Sequence, residues 1–377
     1  MHLVRGIAPT FVASWLVYGT YVSSHVVGYS IFFDSLRATA IVLWALLAVL
    51  VPSMVVYWAI LLVRGPGTLD PLRAPGPGPF LSDALGFPLY CSHCQQIKPE
   101  RAFHLSFTGR CVPRYDHYCV WLGAAVGRDN LVPFFNLVRL VAVYSALSVV
   151  FSAVALRTMH RRLTNSPSLL LLLIVSLIVN SFAVFMLFGL VVTTAFQIAT
   201  GRTALDAISV REAATQRRWD LLQKSGDAAC LRSRLGRWFA AALFPPPKRF
   251  ESGLRYVNLP HEDSRAVVCY RVGERPYSCG VGQDLVDAFV HFNQTALIEP
   301  HKRYSARKLF LAITSVFVPY LDLFSWHRRP LTDPQSYDAW SDEFAAAFLS
   351  SAHKSVADGE FLVPAYVAPA FGPKPLP

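Results

Sequence analysis

The sequence predicts an α-helical multi-pass membrane protein with four transmembrane helices and a cytosolic, zinc-stabilised cysteine-rich loop between helices two and three. Three observations support this fold class. The composition is 53% hydrophobic and only 16% charged, which is too apolar for an ordinary soluble enzyme. The apolar residues are gathered into four long runs. Finally, four of the seven cysteines crowd between Cys91 and Cys119, just ahead of the third run.

Each of the four apolar runs is long enough to span a bilayer, which needs roughly 20 residues for about 30 Å of hydrocarbon. The runs are Phe11–Phe33, Ala38–Val63, Leu131–Leu156 and Ser168–Ile198. Polar residues such as Thr20 and His25 dilute the first run, which could also be a signal peptide. No small-residue cleavage pattern follows it, so we interpret it as a retained span.

The formal net charge of +11 could indicate a nucleic-acid partner. Basic residues outside membrane spans, however, accumulate on the cytoplasmic side. Arg and Lys are frequent in the central loop and in the tail. The short loop after the first span has only Arg37, while Arg157, Arg161 and Arg162 in the loop after the third span run against the trend. The bias predicts an integral protein of the lipid bilayer with both termini cytosolic and no nucleic-acid partner.

The spans divide the chain into four segments. Residues 1–63 hold helices one and two, residues 64–130 hold a cytosolic linker and the cysteine-rich domain, residues 131–198 hold helices three and four, and residues 199–377 form a cytosolic C-terminal region. All seven cysteines fall in the predicted cytosolic segments, which favours a reducing compartment over a disulfide framework. They are Cys91, Cys94, Cys111, Cys119, Cys230, Cys269 and Cys279.

The cysteine-rich segment carries a candidate metal site. Cys91 and Cys94 form a CxxC knuckle, and His104 and Cys111 follow it. Three thiolates and one imidazole are a closed, tetrahedral Zn²⁺ set. His93, inside the knuckle, could compete as a ligand, and the alternative is a set of unconnected buried thiols. Because the segment is too short to bury a core, we favour a zinc ion that folds it.

A second constellation has the composition of a nucleophilic site. Asp116, His117 and Cys119 lie within four residues, and an imidazole can take the proton of a thiol while a carboxylate fixes the imidazole tautomer. His117 and Cys119 are two residues apart, so an extended backbone puts them on the same side. The thiol would lie near the membrane surface, where a thioester-bound fatty acyl chain would be found.

These residues resemble the DHHC family of protein S-acyltransferases, and specifically its DHYC-bearing fungal members. The resemblance covers the four-span layout and the whole of Cys91–Phe134. Matching positions include Lys98-Pro99-x-Arg101, Trp121, Val126-Gly127 and Asn130-x3-Phe134, besides the two constellations. Outside that stretch, Gly65-Pro66-Gly67 is similar to the family's DPG motif and Thr203–Asp206 is a weak form of its TTxE motif.

The resemblance also implies a loss. Family members usually bind two zinc ions, and the positions that supply the second are Leu105, Thr108, Tyr118 and Ala125 in this chain. All four have lost their ligand side chains together, whereas the first set is complete. We therefore expect one structural zinc ion. Val120 also replaces the usual proline after the nucleophile.

The function that the resemblance implies is protein S-acylation. Cys119 would take a palmitoyl or other long-chain acyl group from acyl-CoA, with His117 as base and Asp116 orienting it. Cytosolic cysteines of membrane-associated proteins would then receive the group. The alternative is a catalytically weak membrane adaptor that uses the zinc-folded loop for docking. A transporter or receptor is disfavoured because the spans contain almost no ionisable residues.

Overall fold

The computed structural model describes residues 2–69, 79–158, 166–211, 254–261, 264–271, 280–289, 305–317, 342–357 and 363–365. Cys230 and Cys279 lie outside these residues. Arg161 and Arg162, in the loop after the third predicted span, also lie outside them. The chain forms two compact units. The helical unit comprises Met1–Gly67, His117–Phe196 and Thr314–Asp322. The loop-and-tail unit comprises Thr68–Asp116, Gln197–Ile313 and Leu323–Pro377.

Long apolar helices dominate the helical unit. Helix α1 (His2–Tyr21) continues as a π-helix over Val22–Phe32, and three further helices follow. These are α2 (Arg37–Arg64), α3 (Leu131–Thr158) and α4 (Pro167–Ala199). Among the described residues, α2, α3 and α4 are the helices long and apolar enough to cross a membrane. Each begins and ends within two residues of the prediction.

The first predicted span is helical but is not one of those three, so its crossing of the membrane stays a prediction. Polar residues interrupt its apolar character, and the backbone changes from α to π geometry at Val22. Those polar groups contact neighbouring helices. The hydroxyl of Tyr18 donates to the carbonyl of Leu172 in α4 (2.9 Å), and the hydroxyls of Ser23 and Ser148 in α3 lie 3.3 Å apart.

Close packing between the π-helix and α2 depends on Gly28. The indole Nε1 of Trp44 donates to the carbonyl of Ser24 (3.0 Å), so the indole lies directly over the π-helix backbone. A Cβ added at Gly28 would lie 2.5 Å from that Nε1. This distance is far below van der Waals contact, so a larger residue at Gly28 would force the Trp44 indole out of its present position.

Short antiparallel hairpins carry the cysteine-rich segment. In the loop-and-tail unit, β2 (Tyr90–Cys91) pairs with β3 (Gln96–Ile97), and β4 (Phe103–Leu105) pairs with β5 (Arg110–Val112). In the helical unit, β6 (His117–Cys119) pairs with β7 (Ala124–Val126), and α3 begins five residues later at Leu131. Hairpins this small need an additional stabilising element, and the buried cluster of the cysteine-rich segment is small, comprising Leu69, Cys91, Ala102 and Cys111.

The tail contributes a sheet that the sequence did not predict. Strands β8 (Leu254–His261) and β9 (Ser264–Arg271) form a long hairpin, which β1 (Phe80–Ser82) and β10 (Val363–Ala365) extend on either side to give the order β1-β8-β9-β10. The described residues after β9 include the helices α5 (Val281–Phe289), α6 (Ala306–Phe317) and α7 (Asp342–Ala357). Val257, Leu259, Ala352 and Val356 join β8 and α7 in one apolar core.

Candidate active site and metal centre

The predicted metal ligands converge in the loop-and-tail unit. The ligand atoms of Cys91, Cys94, His104 and Cys111 all lie within 4.8 Å of one another. Cys94 Sγ is 3.2 Å from Nδ1 of His104, close to the separation of about 3.6 Å that tetrahedral angles and Zn²⁺ bond lengths give. Among the described residues, this is the one place where three or more potential ligands converge in this way.

Strand register explains why residues distant in sequence meet here. His104 and Cys111 are direct partners across β4 and β5. Cys91 ends β2, and the turn after it brings the amide of Cys94 to 3.4 Å from the Cys91 sulfur. Gln95 completes this turn in the left-handed region at φ 53°. Each ligand pair is therefore set by a short hairpin, and the two hairpins present their ligands to one point.

The charge balance of the cluster suits a cation. Burial raises the pKa of the Cys111 thiol, and the neighbouring thiols of Cys91 and Cys94 raise it further. Burial acts in the same direction at Cys91, but hydrogen bonds from Cys94, Cys111 and His93 outweigh it and lower the pKa of Cys91. Several adjacent thiolates need positive charge nearby, which a divalent ion supplies. The donor set therefore fits zinc.

His93 does not belong to the converging group. Its ring stacks on that of His104, with centroids 4.6 Å apart and an interplanar angle of 24°. A ligand directs a ring nitrogen at the metal, and it is Nδ1 of His104 that lies 3.2 Å from Cys94 Sγ within the converging group. The arrangement therefore favours His104 as the ligand and gives His93 a packing role beside it.

The predicted nucleophile and base lie on one strand of the helical unit. His117 and Cys119 are the first and last residues of β6, so the extended backbone directs both side chains to the same face and Tyr118 to the opposite one. Cys119 is buried, at 9% exposure. The His117 ring meets the ring of Phe134 in α3 edge-on, with centroids 5.0 Å apart.

Two side chains fasten the β6–β7 hairpin to the apolar helices. Asn130, fully buried, accepts from the amide of Gly127 (2.9 Å) and donates to the carbonyls of Ala125 (2.9 Å) and Leu61 in α2 (3.5 Å). The indole of Trp58 in α2 donates to the carbonyl of Leu122 in the hairpin turn (3.4 Å). The strand that carries Cys119 is thus held at the ends of α2 and α3.

Asp116 is held by a helix start in the loop-and-tail unit. Residues 204–211 are helical, and Thr203 and Asp206 form a capping box. The Asp206 carboxylate accepts from the Thr203 amide (2.9 Å), and the Thr203 hydroxyl accepts from the Asp206 amide (3.2 Å). The next free amide, that of Ala204, donates to Oδ1 of Asp116 at 2.6 Å. A helix N-terminus favours a carboxylate at this position.

Arg101 connects that helix start to the cysteine-rich segment. Its Nη1 donates to the carbonyl of Gly201 (2.9 Å) and lies 3.4 Å from Oδ2 of Asp206. Arg101 is buried, and its carbonyl accepts from the amide of Tyr115, next to Asp116. Sequence reasoning placed Arg101 and Asp206 in family motifs but gave them no role, because spacing alone does not reveal a contact across about a hundred residues.

The four positions at which the resemblance implied a lost second zinc site hold Leu105, Thr108, Tyr118 and Ala125, of which Leu105 and Ala125 are buried and Thr108 is exposed. Tyr118 and Ala125 are partners across β6 and β7, and Ala125 is buried. Leu105 is buried in β4, and the hydroxyl of Thr108 donates to its carbonyl (3.1 Å).

The backbone conformation at Gly67, in the segment after α2, suits glycine alone. Gly67 adopts φ +93°, and a Cβ there would lie 2.8 Å from the carboxylate of Asp129.

Comparisons with known proteins agree with this site. Residues 85–211, which include both constellations and the capping box, match the DHHC palmitoyltransferase family. Palmitoyltransferase PFA5 of Candida albicans is 26% identical over 335 residues, covering 85% of this chain and 79% of the relative.

Two further relatives share the name palmitoyltransferase PFA5. The Candida glabrata protein is 32% identical over 55% of this chain, and the Saccharomyces cerevisiae protein is 30% identical over 54%. This chain spans 62% and 63% of the length of these two relatives. The family match over residues 85–211, the relatives and the apolar helices together support a membrane protein with a DHHC-type palmitoyltransferase domain.

Proposed function

We propose that this chain is a membrane-embedded protein S-palmitoyltransferase with Cys119 as its nucleophile. The observation that carries the proposal is the placement of His117 and Cys119 on one face of β6, fastened to the ends of two apolar helices. A thiol at this position can meet the thioester of an acyl-CoA whose chain enters the bilayer. Burying some fourteen methylenes of a palmitoyl chain is worth roughly 11 kcal/mol before costs.

The reaction we propose has two steps. Cys119 Sγ attacks the carbonyl carbon of the acyl-CoA thioester as His117 takes its proton. The bond to the CoA sulfur breaks, and that sulfur leaves with the proton from His117. The thiol of a target cysteine then attacks the acyl-Cys119 thioester, again with His117 as base, and frees Cys119. Asp116 supplies the carboxylate that fixes the imidazole tautomer.

Zinc has a structural part in this proposal. Cys91, Cys94, His104 and Cys111 would hold one ion that folds the cysteine-rich segment, which lacks a core large enough to fold alone. The ion would take no part in acyl transfer, since four protein ligands leave no open position. The recipients we propose are cysteines of membrane-associated proteins on the cytosolic face.

The assay that tests this function follows the acyl group directly. Purified full-length protein is incubated with a labelled long-chain acyl-CoA, freed of excess donor and then mixed with a membrane-associated acceptor protein. We expect label on the enzyme that hydroxylamine removes, followed by its transfer to the acceptor. A protein that never acquires hydroxylamine-sensitive label would contradict the proposal.

We also propose four membrane crossings with both termini and the central loop in the cytosol, where acyl-CoA is found. Tags inserted near Leu81 and after Gly201 should be accessible from the cytosol, whereas a tag near Asn165 should be protected until the membrane is permeabilised. Protease digestion of sealed microsomes measures this. A tag near Leu81 that is protected would place Cys119 on the wrong side for cytosolic acyl-CoA.

Arg101 and Asp206 are proposed as positioning residues for Asp116. Arg101→Met or Asp206→Asn should lower kcat for self-acylation about tenfold, because hydrogen bonds to charged groups are worth about 1.5–3 kcal/mol. KM for acyl-CoA and zinc content should stay unchanged. The matched control is Glu100→Gln, since Glu100 pairs with Arg255 instead of the helix start. If Glu100→Gln lowers kcat as much as the other two variants do, or if Arg101→Met releases zinc, then Arg101 and Asp206 have a merely structural role.

A further inference from the structure

The first turn of α3 places an aromatic ring against the imidazole of His117. The ring centroids of His117 and Phe134 lie 5.0 Å apart, with an angle of 72° between the ring planes. These values fall in the favourable range for an edge-to-face aromatic pair. Phe134 is buried, at 1% exposure, whereas His117 is half-buried. The two-step acyl transfer proposed above gives Phe134 no role.

The backbone of β6 alone does not orient the imidazole. An extended strand directs the side chains of His117 and Cys119 to one face, but the histidine ring can still rotate about its outer torsion, which has only broad, two-fold preferences. A general base must bring a ring nitrogen within about 2.6–3.2 Å of the group whose proton it takes. A neighbouring group must therefore select the plane of the ring, and Phe134 lies where it can do so.

Asn130 holds Phe134 and the β6–β7 hairpin in one frame. The amide of Phe134 donates to the carbonyl of Asn130 at 3.0 Å, and the side chain of Asn130 accepts from the amide of Gly127 at 2.9 Å. The residue before Gly127 is Val126, which is fully buried and is the direct strand partner of His117. Through Asn130, the strand partner of His117 and the ring that meets its imidazole are fixed with respect to each other.

We infer that Phe134 is a positioning residue for His117, whose ring it holds in the plane from which the imidazole takes the proton of Cys119. An error of about 1 Å in the placement of a reacting group can lower a rate about 100-fold, so rotational freedom of this ring would be costly. The inference rests on the proposed acyltransferase function. A wild type that takes up no acyl label would contradict both, whereas a labelled wild type whose variants behave additively would contradict only the role of Phe134.

The first measurement compares Phe134→Leu with Phe135→Leu in the full-length protein. Each removes a buried ring from α3, and Phe135 is 3% exposed, so both should lower the melting temperature to a similar extent. Phe134→Leu should also lower kcat for self-acylation about tenfold at pH 7, with KM for palmitoyl-CoA unchanged. That loss should shrink as the pH rises, because more of Cys119 then ionises without a base. Phe135→Leu should leave kcat and its pH profile unchanged.

A double-mutant cycle separates positioning from a general effect on the fold. Phe134→Leu should cause no further loss of rate in a His117→Ala background, because no imidazole remains to be oriented. Phe134→Tyr keeps the ring and should keep the pH profile of the wild type. If Phe134→Leu unfolds, Phe134→Met removes the ring with a long, flexible side chain in its place and enters the same cycle.

Two results would overturn the inference. The first is an equal loss of rate from Phe134→Leu with and without His117, which would mean that the ring acts on the fold and not through the imidazole. The second is a rise of about tenfold in KM for palmitoyl-CoA with an unchanged pH profile of kcat, which would mean that the ring contacts the acyl donor.

Discussion

Replacing Cys119 by Ala or Ser is expected to abolish both self-acylation and transfer to an acceptor protein. The reaction needs a thiolate that attacks the acyl donor and forms a thioester. Alanine offers only a methyl group at this position, and the hydroxyl of serine has too high a pKa to replace the thiol. Cys119 is the cysteine of β6, on the same face as His117. The expected signal is below detection in both steps of the labelling assay, with the amount of folded protein and its zinc content unchanged.

Neighbouring variants give this result its controls. Tyr118→Phe changes the opposite face of the same strand and should keep most of the activity. His117→Ala should lower the rate of self-acylation by about 10²–10⁴, the usual contribution of a general base. If Cys119→Ala still transfers acyl groups at a substantial rate, another cysteine is the nucleophile. If the wild type itself takes up no label, the adaptor hypothesis becomes the better description.

Helix positions were predicted closely because the bilayer imposes a strong local rule. A run of apolar residues must be helical and about as long as the hydrocarbon layer is thick. Helix α2 was predicted as Ala38–Val63 and is Arg37–Arg64, and its end coincides with Gly65, whose φ of +64° does not suit a further helical residue. The first run was the exception, since Ser and Thr weaken the hydropathy while serving as contacts to α3.

The tail sheet could not be predicted, for a physical reason. Its long strands pair across a tight hairpin, but its outer strands β1 and β10 are three residues each and come from segments far away in the sequence. Such pairing is selected by the apolar core between β8 and α7, not by any local pattern. Residues 363–365, in a chain end that is rich in proline, form the strand β10.

At the candidate site, too, the features set by residues close in sequence were predicted and the contacts between distant residues were not. Ligand spacing predicted that Cys91, Cys94, His104 and Cys111 converge, since each hairpin sets two of them and only the meeting of the hairpins is a tertiary event. Their binding of zinc stays a prediction. The contacts that join Arg101 to Asp206 and Asp116 to Ala204 were not predicted, because the partners are 105 and 88 residues apart in the chain. Ala204 contributes only its backbone amide, so no side-chain pattern could have signalled the contact.

Loss of one metal ligand should have a second large effect, on folding. Purified wild-type protein is expected to hold about one zinc ion per chain, and Cys111→Ala or His104→Ala should release it. Structural zinc in small modules contributes about 10–16 kcal/mol, and the β2–β5 hairpins have no comparable source of stability. Zinc content by mass spectrometry and tryptic cleavage within residues 91–111 measure the two consequences together.

Cys269→Ala is the matched control for the metal prediction, because Cys269 is an exposed cysteine in the same unit, on β9. It should retain both the zinc ion and the resistance to trypsin. A second tightly held ion in the wild type would require ligands besides Cys91, Cys94, His104 and Cys111, and His93→Ala would then be the first variant to measure. Full zinc occupancy in both Cys111→Ala and His104→Ala would contradict the proposed ligand set. Release of zinc together with loss of trypsin resistance would support the ion as the element that folds the β2–β3 and β4–β5 hairpins.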